Sequence, residues 1–116
     1  MDIDFSGINV LVGGATDGIG WACSTMFADR GANVIMLARN KEKLNERLKS
    51  LSKSDKQKHF ILPVDYSNID QLYENLMSFI SKEKITFNII VNNTGGPPGG
   101  KLSEALTDEL QFAFNL

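Results

Sequence analysis

The residues with the clearest chemical potential are the glycines of Gly14-Ala15-Thr16-Asp17-Gly18-Ile19-Gly20, a G-x3-G-x-G spacing that opens directly into an apolar-periodic stretch. Glycine permits a tight turn and lets backbone N–H groups approach a diphosphate with no side chain between. A helix that follows presents its positive N-terminal end to the same anion. The run from Gly13 to Gly18 is not a P-loop, because Ile19 stands where a nucleoside triphosphate site needs lysine. Nor is it G-x-G-x-x-G, since Cys23 stands where the last glycine would be. A glycine turn alone is a weak signal, and its place between a buried strand and an amphipathic helix is what gives it weight.

Three further positions lie where apolar runs end. Arg39 follows Val34-Ile35-Met36-Leu37-Ala38, with no carboxylate until Glu42. About 20 residues beyond such glycines an acid reads the ribose 2′-hydroxyl of NAD, whereas a basic residue favours the 2′-phosphate of NADP. A guanidinium binds phosphate through paired hydrogen bonds, so NADP is favoured over NAD, the plainer alternative being a solvated arginine at a helix start. Asp65 follows Phe60-Ile61-Leu62 and could accept from an adenine amino group or cap the helix beginning near Ser67; both readings stay open. Asn92-Asn93 ends the fourth run and could bond a ribose and the neighbouring backbone, although asparagine also serves turns at strand ends.

The elements that must carry these residues alternate. Ile8-Asn9-Val10-Leu11-Val12, Val34-Ile35-Met36-Leu37-Ala38, Phe60-Ile61-Leu62 (stopped by Pro63) and Phe87-Asn88-Ile89-Ile90-Val91 read as strands. Between them, Ile19, Ala22, Cys23, Met26 and Phe27 recur at helical spacing, with Gly31 placed as a C-terminal cap. Leu44, Leu48 and Leu51 stripe a charged surface helix, and residues 52–58 read as a polar loop. Ser67 and Asp70 suggest a capping box ahead of the face formed by Ile69, Leu72, Tyr73, Leu76, Phe79 and Ile80. After the loop Gly95-Gly96-Pro97-Pro98-Gly99-Gly100, a last helix is expected near Thr107 with Leu106, Leu110, Ala113 and Phe114 inward. This order predicts an α/β fold with a doubly wound parallel sheet, in which ligands bind beyond the carboxyl ends of the strands.

Composition sets the outer bounds. A chain of 116 residues, 42% apolar and 22% charged, has room for one core. A formal charge of -2 nominates neither nucleic acid nor a membrane surface. One cysteine and one histidine cannot make a disulfide or a zinc site of ordinary spacing, so no metal is expected. The acidic start Met1-Asp2-Ile3-Asp4 leads into no long apolar stretch, which argues against a secretory signal and makes a reducing cytoplasm the expected compartment.

With these residues in view, the sequence resembles the short-chain dehydrogenase/reductase family. The turn matches its T-G-x3-G-x-G signature with Gly13 in place of threonine. Asn92-Asn93-Thr94-Gly95 is similar to its N-N-A-G, with threonine for alanine, and Phe114-Asn115-Leu116 resembles the segment carrying its catalytic asparagine. The Thr94-Gly95-Gly96-Pro97-Pro98-Gly99 variant looks most like bacterial 3-oxoacyl-carrier-protein reductases.

The resemblance implies a Rossmann-like domain over residues 1–116, the N-terminal half of such a fold with about four strands and four helices. Gly14, Thr16, Gly18, Ile19 and Gly20 would line the diphosphate; Asp17, also among the coenzyme-binding residues, departs from the basic residue that some NADP-preferring members carry there. Arg39 would face the 2′-phosphate, Asp65 and Tyr66 would flank the adenine, and Asn92 the adenosine ribose, with Thr94 and Gly95 also among the coenzyme-binding residues. Asn115 would hold a water in the proton relay. Implied partners are a small carbonyl or alcohol substrate and a second copy in a homo-oligomer.

The family's reaction also needs a serine and a tyrosine with lysine four residues later. Tyr66 is followed at that spacing by Asp70 and Tyr73 by Met77, so the chain alone is expected to transfer no hydride. An edge formed by Ile89, Ile90 and Val91 is expected to invite self-association. Competing readings are a truncated, non-catalytic dinucleotide-binding or interaction module and an S-adenosylmethionine methyltransferase half-domain, which wants an acid in place of Arg39. Trp21 reads as packing in preference to base stacking, Cys23 as an inert apolar residue, and His59 as a solvated loop residue.

Overall fold

Val10, Leu11, Val12, Val34, Ile35, Met36 and Leu37 are all at most 1% exposed, as continuous apolar runs require of strands covered on both faces. The computed structural model describes residues 3–65 and 67–93, and places these side chains on β1 (Asn9–Gly13) and β2 (Asn33–Ala38). They are flanked by β3 (Phe60–Pro63) and β4 (Ile89–Val91) in a parallel sheet ordered β3-β2-β1-β4. Between the strands run α1 (Gly18–Asp29), α2 (Lys41–Ser50) and α3 (Ile69–Glu83).

Side chains alternate across the sheet, so two cores form. Val10, Val12, Val34 and Met36 pack with Phe27 and Ala28 of α1 and Leu44 of α2. Leu11, Ile35 and Leu37 pack on the other face with Leu72 and Leu76 of α3 and with Phe87. Two helices on one face and one on the other make the expected doubly wound arrangement. The fourth helix, expected near Thr107, lies outside the described residues.

Asparagines fix the register at the amino ends of the strands. Asn33 Nδ2 donates to Asn9 Oδ1 at 2.9 Å, and Asn9 Nδ2 to the Thr86 carbonyl at 3.0 Å. The Asn9 N–H donates to Asn88 Oδ1 at 2.8 Å, and the Lys58 N–H to Asn33 Oδ1 at 2.8 Å. Side-chain amides thus supplement the backbone bonds from Asn33 to Ile8 and from Asn88 to Asn9 where the ladder begins.

Several expectations need correction. Ile19 is 70% exposed and Ala22 exposed; the buried face of α1 is Gly20, Ser24, Phe27 and Ala28. The phase shifts because Gly20 lies against the Gly14 carbonyl, which a Cβ at position 20 would overlap. Ser24 is accommodated there by donating to the Gly20 carbonyl at 2.9 Å. Asn68, not Ser67, caps α3, accepting from the Gln71 N–H at 3.1 Å. Pro63 ends β3 from within, paired in register with Ala38. Tyr73 is 36% exposed at the margin of the α3 face.

His59 and Gln57 are structural residues in the loop before β3. The Val34 N–H donates to His59 Nδ1 at 3.0 Å, which leaves Nε2 to donate to the Ser52 carbonyl at 2.7 Å. The Gln57 side chain is buried and its amide nitrogen donates to the carbonyls of Ala28 and Ala32 at 2.8 and 2.7 Å. Their polar neighbours in sequence conceal these roles.

Candidate coenzyme site

The carboxyl ends of all four strands are tied into one rim. The Ala15 N–H donates to the Leu37 carbonyl at 3.1 Å, joining the turn after β1 to the end of β2. The Val64 N–H donates to the Ala38 carbonyl at 2.9 Å, joining β2 to the segment after β3. On the other side Gly14, at φ +60°, lies so close to the Asn93 backbone that a Cβ there would overlap the Asn93 carbonyl. Turn, Arg39, Asp65 and Asn92-Asn93 are therefore brought to a single edge of the sheet, as the sequence predicts.

The start of α1 differs from those of the other helices. Asn40 caps α2 by accepting from the Lys43 N–H, and Asn68 caps α3. Asp17 occupies the N-cap of α1 but its side chain makes no capping bond. Its carboxylate turns to α2, where Oδ1 lies 2.5 Å from Lys43 Nζ and 3.9 Å from Arg47 Nη2. The Lys43 hydrogen bond, with the charges of Lys43 and Arg47, holds the Asp17 carboxyl below its ordinary range against a smaller effect of burial.

Gly18, at φ +53°, opens onto free space: a Cβ there would meet nothing within 4 Å. The first turn of α1 thus offers backbone N–H groups and the positive end of the helix dipole, with no side-chain acceptor capping them. These features fit an anionic diphosphate. Thr16 is buried, with its carbonyl accepting from Arg47 Nε at 3.0 Å, and Ile19 stands exposed beside the opening.

Arg39 is exposed immediately before the Asn40 cap of α2. Asp65 is also exposed, and its Oδ1 accepts from the Ser67 hydroxyl at 2.7 Å and the Ser67 N–H at 2.9 Å. These two bonds, and to a lesser extent the Arg39 charge, hold its carboxyl below the ordinary range. Asp65 therefore organises the turn ahead of α3 without capping the helix itself. Asn92 is exposed just after β4. Tyr66, Thr94, Gly95 and Asn115 lie outside the described residues.

Arg47 escaped the sequence reading. Besides its bond to Thr16, its guanidinium lies over the Trp21 ring, 4.7 Å from the centroid. Trp21 packs partly buried against the core of the α1 face, as expected of a packing residue. The available signal was the spacing of Lys43 and Arg47 on one face of α2. A cleft of about 760 Å³ lies at the opposite end of the molecule, lined in part by Asp4, Arg30, Gly31 and Lys53, and shares no residue with this rim.

Comparison with known proteins agrees with this architecture. The family model for short chain dehydrogenases matches residues 9–116. An orangutan (Pongo abelii) inactive hydroxysteroid dehydrogenase-like protein 1 is 36% identical over 85 residues, covering 73% of this chain and 25% of the relative. The very-long-chain 3-oxoacyl-CoA reductase-A of Danio rerio is 36% identical over 85 residues, covering 73% and 26%. L-sorbose reductase from Gluconobacter frateurii, solved with NADPH and L-sorbose, superposes with a TM-score of 0.72 at 27% identity, over 83% of this chain and 36% of that one. The chain spans about a quarter of the length of these curated relatives. Among the described residues no helix is long and apolar enough to cross a membrane. On its matched span and its strand order, the chain belongs to the short chain dehydrogenase family.

Proposed function

We propose that this chain supplies the coenzyme-binding half of an NADP(H)-dependent oxidoreductase acting on a carbonyl/alcohol pair. The observation that carries the reading is the uncapped start of α1, open at Gly18, on the same rim as Arg39. Bound NADPH supplies a hydride to a carbonyl carbon in such chemistry. The residues of this chain bind and orient: the amides of Gly18, Ile19 and Gly20 take the diphosphate, and Arg39 the 2′-phosphate. Asp65 and Asn92 border the adenosine. On family resemblance, Tyr66 flanks the adenine, Thr94 and Gly95 contribute to coenzyme binding, and Asn115 holds a water in the proton relay. Family membership and an NADPH-bound neighbour in the same fold support this reading. The relative that reduces 3-oxoacyl thioesters makes that carbonyl class the first to try as substrate.

Titration with NADPH and NADH tests the proposal. Tighter binding of NADPH is expected, and Arg39→Leu should weaken it by about tenfold or more, the worth of a charge-assisted hydrogen bond, while NADH is little changed. Failure to bind either dinucleotide overturns the proposal, and equal affinity for the two overturns the role of Arg39.

A further inference from the structure

The acidic residue at the tip of the glycine turn poses an electrostatic problem: Asp17 would repel a phosphate arriving beside Arg39. The structure contains a remedy on α2. Lys43 and Arg47, one helical turn apart, both reach Asp17, but they are held differently. Arg47 is fixed by its Nε bond to the Thr16 carbonyl and by its seat over Trp21. Lys43 is tied at its ammonium to Asp17, whose side chain is 67% exposed. An ammonium on a flexible four-carbon stem can change partners, whereas a guanidinium bonded to backbone and stacked on a ring has little freedom to do so. Moving Lys43 away from so exposed a carboxylate strands no buried charge.

We infer that Lys43 is a second specificity-determining cation for the adenosine 2′-phosphate, stored at the glycine turn by Asp17 as an exchangeable counter-ion, while Arg47 positions the turn. This rests on the dinucleotide reading above. A phosphate dianion competes with the single charge of Asp17 for the Lys43 ammonium, and Lys43 follows Asn40 in the same first turn of α2 that Arg39 precedes.

The test is a double-mutant cycle read as dissociation constants for NADPH and NADH, with wild type, Lys43→Met, Asp17→Asn and the double variant. Lys43→Met is expected to weaken NADPH by about tenfold and NADH much less. Asp17→Asn should tighten NADPH where Lys43 is present, and by a smaller factor in the Lys43→Met background. Arg47→Lys should weaken both dinucleotides alike. Thermal unfolding of each variant separates a folding defect from a binding one, and Lys43→Gln provides a second substitution. An unchanged NADPH-to-NADH ratio in Lys43→Met, or independent effects of the two substitutions, overturns the inference alone if Arg39→Leu still lowers the preference for NADPH. A chain that binds neither dinucleotide overturns the underlying reading as well.

Discussion

The Asn93 carbonyl, just past β4, occupies the space that a side chain on Gly14 would need. The turn after β1 and the end of β4 are thereby pressed together with only a hydrogen atom between them. Gly14→Ala would force them apart and place alanine at φ +60°, which costs L-residues energy. We expect a loss of about 1–3 kcal/mol in unfolding free energy, in line with overpacking elsewhere, and weakened dinucleotide binding. Urea denaturation and an NADPH titration of the variant check both effects.

The His59 imidazole should make stability depend on pH. Burial holds its pKa below the ordinary 6.5, helped by the Lys53 charge and opposed by the bond to Ser52. As the pH falls through about 6.5 the unfolded chain takes up a proton that the folded chain resists, so stability is full above that value and declines below it. The decline levels off once the folded imidazole is itself protonated. Urea unfolding between about pH 7.5 and pH 5.5 should show the slope in wild type and a flatter profile in His59→Phe. That variant should also lose about 1–3 kcal/mol at the upper pH, because the buried Val34 N–H loses its acceptor.

Among the described residues β4 lies at the edge of the sheet, where association with another chain is expected. Ile89 and Val91 pack against one core and Ile90 against the other, yet all three remain partly exposed. The isolated 116-residue chain is expected to associate as its concentration rises, and Ile90→Lys to suppress this, since a lysine on an edge opposes strand pairing. Sedimentation velocity over a concentration series measures it. A chain monomeric throughout contradicts the expectation.

Much of the frame was legible because each signal was local. The unbroken apolar run from Val34 to Ala38 marks a strand covered on both faces, and the glycine spacing marks the turn at its neighbour's end. Arg39 is placed simply by following that strand. What escaped depends on contacts distant in sequence. The Asp17 partners lie on α2, and the His59 partners on β2 and the loop after α2. Apolar spacing put Ile19 inside α1, but the rotation of that helix is set by Gly20 against the Gly14 carbonyl, a backbone contact with no hydrophobic signature. Ser67 and Asn68 are both good caps by type; the bonds from Ser67 to Asp65 leave the capping position to Asn68.

The central claim, that the open start of α1 receives the diphosphate of a nicotinamide dinucleotide, is tested most directly by following backbone amide resonances during NADPH titration. Saturable shifts are expected, largest at Gly18, Ile19 and Gly20, with Arg39 and Lys43 following. Absence of saturation, or shifts centred on Arg30, Gly31 and Lys53 at the opposite end of the molecule, would contradict it.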